Sequence, residues 1–184
     1  MKSLLSFIIL TITIVSASQY DFYVEKWKVN DIKIVDGIVI TRLTGENTEI
    51  GVTNIVYKTQ KQLLKEIRDR KSSGEMSRSR WASYDEKYRR QASGGMLYVF
   101  LTRNDFDYGN MDYFHVKIVD KKGKEIFKKQ YKNQIPRTYR KPEYMWKNEG
   151  KMMIGCDIYL PITIEIIDKS QEKEANHRFK ISAE

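Results

Sequence analysis

The stretch Asp31–Leu43, DIKIVDGIVITRL, decides how this chain is read. Ile32 and Ile34 alternate with polar residues, Asp36-Gly37 interrupts them, and Ile38, Val39 and Ile40 resume the apolar pattern. A two-residue hairpin loop needs positive φ at its central positions, which Asp and Gly tolerate. Alternation at period two turns one face of each strand toward a core. The segment therefore predicts a β-hairpin.

The same pattern recurs along the chain. TEIGVTNIVYK (48–58) continues it with a slip near Asn54, as at a bulge. MLYVFLTR (96–103), YFHVKIVD (113–120), KEIFKKQYK (124–132), MMIGCDIYL (152–160), ITIEIID (162–168) and HRFKIS (177–182) follow, with turn residues between several of them. So many short runs predict a mainly β protein, an antiparallel β-sandwich of immunoglobulin-like or similar topology. In ITIEIID, Glu165 alternates outward, and in MMIGCDIYL the lone Cys156 alternates with Ile154, Ile158 and Leu160, which points it into the core.

One region breaks the pattern. TQKQLLKEIRDRKSSG (59–74) opens on a Thr59/Gln62 capping box, carries Leu63, Leu64 and Ile67 at helical spacing with a Glu66–Arg70 pair, and stops at Ser-Ser-Gly. RSRWASYDEKYRRQASGG (78–95) offers a second box at Ser83/Glu86, places Trp81, Tyr84 and Tyr88 on one helical face, and ends at Gly94-Gly95. A helical insertion is expected at about 59–93, inside a single sandwich domain over 19–184. NQIPRTYRKPEYMWKNEG (133–150), with Pro136 and Pro142, reads as a long irregular loop.

The chain begins MKSLLSFIILTITIVSAS, with Lys2, an apolar run from Leu4 to Val15 and small residues at Ser16–Ser18. That is the layout of a signal peptide over residues 1–18, and the run is shorter than the about 20 residues a membrane-spanning helix needs. Export to a periplasm or the extracellular space is expected. No cysteine lies near the cleavage region, so a lipoprotein is not. With one cysteine no internal disulfide forms, and stability must come from packing.

The net charge is +9, unevenly distributed. Residues 58–90 hold eleven Lys or Arg against five acids, and residues 121–151 hold eleven against three. Both segments also carry aromatic residues, which makes Arg80, Trp81, Arg89, Arg90, Arg137, Tyr139, Arg140, Lys141 and Trp146 the candidate ligand-binding set. The competing view is that Trp81, Tyr84 and Tyr88 bury their rings while the cations stay solvated. In NDFDYGNMD (104–112), Asp105, Asp107, Asn110 and Asp112 crowd a glycine and form a candidate Ca²⁺ site, although the same residues are ordinary turn formers. No other cofactor is expected.

The two histidines, His115 and His177, accompany no nucleophile, zinc or phosphate-loop motif. The chain is accordingly expected to bind rather than catalyse. Its expected partners are another exported or envelope protein, an anionic polysaccharide or a membrane surface. Nucleic acid fits poorly with export and with the lack of a recognised binding motif. The alternative is a secreted carbohydrate-active enzyme or glycan-binding module using carboxylates and aromatic platforms.

Overall fold

The structure, a computed structural model, describes residues 25–45, 50–140 and 144–184, with backbone alone for 138–140 and 144. The expected signal segment, Lys141 and the side chains of Tyr139 and Arg140 thus lie outside the described residues.

The hairpin forms where the sequence places it. β1 (Ile32–Val35) and β2 (Ile38–Thr44) pair antiparallel with Val35 opposite Ile38. Asp36 and Gly37 take φ of 52° and 77°, the consecutive positive values of a type I′ turn. The chain continues through β3 (Gly51–Lys58), α1 (Gln60–Ser72), α2 (Arg78–Gln91), β4 (Met96–Arg103), β5 (Phe114–Val119) and β6 (Glu125–Gln130). It closes with β7 (Arg137–Arg140), β8 (Tyr144–Met153), β9 (Ile162–Asp168) and β10 (Ala175–Ala183).

These strands make two antiparallel sheets, so the expected mainly β architecture is present. The six-stranded sheet runs β1-β2-β10-β9-β5-β6 and the four-stranded sheet β3-β4-β8-β7. One hydrophobic cluster draws on both. From the first sheet come Ile118, Ile164 and Phe179, which sit opposite one another across β5, β9 and β10. From the second come Ile55, Leu97, Val99 and Leu101. All of these are fully buried. Burying each such side chain stabilises the fold by about 1.5–3 kcal/mol, and the two sheets share that gain.

Four local expectations need correction. The Asn54 bulge is absent: β3 pairs with β4 without interruption from Gly51 to Lys58, and both faces of β3 are buried. A strand covered on both sides loses its alternation, which imitates a slip. Asn54 is buried too, and its Nδ2 donates to the Glu25 carbonyl at 2.8 Å. Second, residues 133–150 are not one irregular loop, since β7 and β8 pair within them. In β8 the charged Lys147, Glu149 and Lys151 alternate with Asn148, Gly150 and Met152, but Asn and Gly in place of apolar residues hide the period. Third, of MMIGCDIYL only Met152 and Met153 belong to a strand. The alternation still holds in burial, with Ile154 buried and Cys156, Ile158 and Leu160 half-buried against the core. Fourth, α2 starts earlier than Ser83. Ser77 caps it by accepting from the Arg80 N–H at 3.3 Å, and Ser83 lies inside the helix.

The first helix follows its signals. Thr59 and Gln62 form the reciprocal capping box, while Leu63 and Ile67 are buried. Glu66, however, pairs with Lys58 rather than Arg70. Leu63, Ala92 and Met96 form a small second cluster against which Tyr88 packs, so the helices are pinned at the Met96 end of β4.

Candidate functional site

The basic residues of α2 are mostly solvated, and two are tied up within the helix. Arg89 donates to Asp85 at 2.7 Å and Arg90 to Glu86 at 3.2 Å. Their i, i+4 spacing makes these pairs available to any exposed helix. The rings face inward only in part: Trp81, Tyr84 and Tyr88 are half-buried, and no residue of α2 is fully buried. The Lys71 ammonium stands 3.9 Å from the Trp81 ring centre, and the Arg80 guanidinium 5.8 Å from that of Tyr84. The aromatic face thus serves the contact between the helices as well as their contact with the sheet.

The second segment is anchored elsewhere. Trp146 sits opposite Arg103, at the far end of β4 from Met96, where Tyr88 packs. Its ring meets Phe106 edge-on at 5.0 Å, and the exposed Arg137 occupies β7 opposite Lys147. The two sets of candidate residues are therefore anchored at opposite ends of β4.

The acidic loop behaves as a turn. Asp105 Oδ1 accepts from the Asp107 N–H at 2.9 Å, and Asn110 Oδ1 accepts from the N–H groups of Asp112 and Gln134 at 3.4 and 3.2 Å. Side-chain oxygens used in this way fix the loop. Among the described residues, no three His, Cys, Asp or Glu side chains come together as they would around a metal ion. Among those residues, too, no helix is long and apolar enough to cross a membrane.

A constellation the sequence reading missed lies inside the core. Arg42 and Arg103 are buried, as are Asp168 and His177. Arg103 Nη2 donates to Asp168 Oδ2 at 2.9 Å and to Thr53 Oγ1 at 2.7 Å, and its Nη1 donates to the Val52 and Thr102 carbonyls at 2.6 and 3.0 Å. Arg42 Nη1 donates to the Thr53 carbonyl at 2.9 Å, and its Nη2 donates to the Gly45 carbonyl. Each guanidinium also lies over a ring, Arg42 at 5.0 Å from Phe179 and Arg103 at 5.3 Å from Phe114. β2 and β10 supply Arg42 and His177, β9 supplies Asp168, and β4 supplies Arg103. The cluster therefore joins the two sheets.

Burial decides the protonation of this cluster. His177 Nδ1 lies 2.6 Å from the Gly45 carbonyl oxygen and 3.0 Å from Arg42 Nη2, so this nitrogen meets an acceptor and a donor at once. Desolvation, reinforced by the positive charges of Arg42 and Arg103, pulls the His177 pKa down to about 4 against the partial support of the Gly45 bond. Desolvation also lowers the Arg103 pKa, and the Asp168 carboxylate acts in the opposite direction. The adjoining cavity, bounded by Gly51, Thr53, Arg103, Asp168, Gln171 and His177, measures about 20 Å³, room for roughly one water. A space of that size suits a water beside a structural clasp.

A second missed arrangement lies on the outer face of the six-stranded sheet. Register aligns Lys128, Lys117, Glu165 and Arg178 in one row across β6, β5, β9 and β10. Glu165 faces outward as expected, but it is nearly buried beneath Lys117 at 3.3 Å and Arg178 at 3.2 Å. His115, on the same face, has its pKa lowered first by burial and then by the positive charges of Lys169 and Lys128. Cys156 is half-buried, its Sγ donates to the Ile126 carbonyl at 3.5 Å, and burial raises its pKa. A thiol so placed resists ionising.

Compared with known proteins, the chain matches no family model, and no curated protein or solved structure is significantly similar to it.

Proposed function

We propose that the protein is an exported β-sandwich that acts by binding, engaging an anionic surface polymer in preference to catalysing a reaction. The observation that carries this reading is the segregation of charge: residues 58–90 and 121–151 each hold eleven cations, against five and three acids. The signal-like layout of residues 1–18 supports export, and the core common to both antiparallel sheets supports the sandwich. A polyanion bound by such segments releases counterions, so its affinity falls steeply with salt.

The test is elution of the purified protein from a sulfated-polysaccharide column in a salt gradient, beside a polyglutamate column. Late, salt-dependent elution from the first column is the expected result. Retention only on polyglutamate points to an acidic protein partner, and passage through both columns at low salt overturns the reading.

A second reading has one specific support. Phe106 and Trp146 meet at 5.0 Å beside the exposed Asp105 and Asp107, a combination of ring and carboxylate that suits a neutral glycan. It corresponds to a glycan-binding module or a carbohydrate-active enzyme, and binding of neutral oligosaccharides unaffected by salt would favour it. A melting temperature raised by millimolar Ca²⁺ would revive a metal role for the 105–112 loop.

A further inference from the structure

We propose that the outer face of the six-stranded sheet, centred on Lys117, Lys128, Arg178 and Lys180, is the contact surface for an anionic polysaccharide. The inference rests on the anionic-polymer reading but assigns it to a surface outside the candidate set that the sequence offers. The reasons begin with register. Lys117 and Lys128 are directly opposite each other on β5 and β6. Like charges so placed are destabilising. Lys117 is drawn instead to Glu165, a carboxylate it shares with Arg178. Lys128 and Lys180 are exposed, and neither has a carboxylate within ion-pair distance among the described residues. Lys117 and Arg178 thus share one carboxylate while Lys128 and Lys180 beside them have none, and a ligand anion would offset that excess of positive charge.

Lysines on β6 alone have a simpler explanation, because edge strands use charge to prevent edge-to-edge pairing. That explanation does not extend to Arg178 and Lys180, which sit on β10 between β2 and β9. An internal strand has no edge to guard.

The occupant is argued from the surface itself. With neighbouring strands about 4.8 Å apart, the row from Lys128 to Arg178 spans about 14 Å, the reach of an extended chain rather than of one small ion. β5, β9 and β10 are paired on both sides, which leaves no backbone there for an added peptide strand. Polar side chains stand beside the cations: Thr41 and Thr163 are opposite Lys180, and Gln130 is opposite His115, with Ile167 and Ile32 the apolar neighbours on the same rows. Hydroxyls and an amide suit the hydroxyls of a sugar, and the cations suit its sulfates or carboxylates.

His115 gives a readout internal to the face. Burial lowers its pKa first, the charges of Lys169 and Lys128 lower it further and Glu174 opposes them, so an anion seated over Lys128 raises it. The experiment titrates His115 by NMR with and without dextran sulfate, and measures affinity for the wild type and for Lys128→Glu/Lys180→Glu. Both replaced side chains are exposed, and thermal melting checks that the variant folds. The expected result is a raised His115 pKa on binding, at least about tenfold weaker affinity in the variant, and a shallower salt dependence. Wild-type binding with an unmoved His115 and an unaffected variant overturns the assignment to this face while leaving the anionic-polymer reading in place. Failure of the wild type to bind overturns both. Binding of polyglutamate at the same lysines, tighter than dextran sulfate, overturns the choice of polysaccharide.

Discussion

Arginine and carboxylate meet in two very different places in this molecule. At one end of the core, Arg103 holds Asp168 at 2.9 Å, with side chains only 1% and 3% exposed. On α2, Arg89 holds Asp85 at 2.7 Å, with the arginine side chain 62% and the aspartate 19% exposed. The distances are nearly equal, so distance does not rank them. In water an ion pair gains little over its hydrated parts, whereas in the core each charge depends on its partner because water cannot replace it. The clasp thus specifies how the two sheets meet, and the helix pairs are surface chemistry.

The largest expected effect follows from breaking the clasp on one side only. Asp168→Leu leaves Arg103 charged without its carboxylate and is expected to destabilise the protein by about 3–5 kcal/mol in urea unfolding. Replacing both partners, Arg103→Met with Asp168→Leu, removes the buried charges together and is expected to recover most of that loss. A double variant no more stable than the single one would show that the Arg103 bonds to Val52, Thr53 and Thr102 matter more than the ion pair.

The clasp also gives the protein a pH dependence. His177 titrates at about 4 in the folded state against an ordinary 6.5. Above 6.5 the imidazole is neutral whether folded or not, and its contribution to stability is complete. Between 6.5 and 4 the unfolded chain takes up a proton that the folded protein refuses, so stability falls as pH falls, by on the order of 3 kcal/mol from this group. Carboxylates add their own slope. The measurement is therefore the difference between wild type and His177→Asn, whose amide carries both a donor and an acceptor to meet the Gly45 carbonyl and Arg42, by urea unfolding at pH 7 and pH 4. Equal slopes for the two proteins would remove His177 as the cause.

The comparison also explains what the sequence made legible. The Asp36-Gly37 hairpin, the Thr59/Gln62 box and the rows Phe114–Val116–Ile118 and Ile162–Ile164–Ile166 are local, and local patterns survive folding unaltered. The clasp was invisible because its members are far apart in the chain and each is polar. A signal was present nevertheless. Arg42 continues the inward row of Ile38 and Ile40, Arg103 that of Val99 and Leu101, and Asp168 that of Ile164 and Ile166, while His177 precedes Phe179 and Ile181 by the same step of two. Four polar residues in core parity must find one another, since each is costly to bury alone. The row of Lys128, Lys117, Glu165 and Arg178 depends on register between strands distant in sequence, which composition does not contain. The helix arginines, by contrast, stand out through density of charge, and the Asp85 and Glu86 that neutralise two of them lie within the same helix.

The smallest effect belongs to that helix and closes the comparison from the other side. Asp85→Asn with Glu86→Gln frees Arg89 and Arg90 while keeping the shape of both acceptor side chains. The urea midpoint is expected to stay unchanged, and to remain so at raised salt, because the exposed pairs are already screened by solvent. In the neighbouring helix Thr59→Ala removes the box that satisfies N–H groups at the start of α1, and is expected to cost about 1 kcal/mol. A neutral hydroxyl would then outweigh two formal ion pairs. The reason is that the hydroxyl satisfies a backbone donor with no partner inside the helix, while each arginine exchanges a carboxylate for water. A clear loss of stability on freeing the arginines would mean that α2 depends on Asp85 and Glu86 to dock, and that burial is not what separates the two regions.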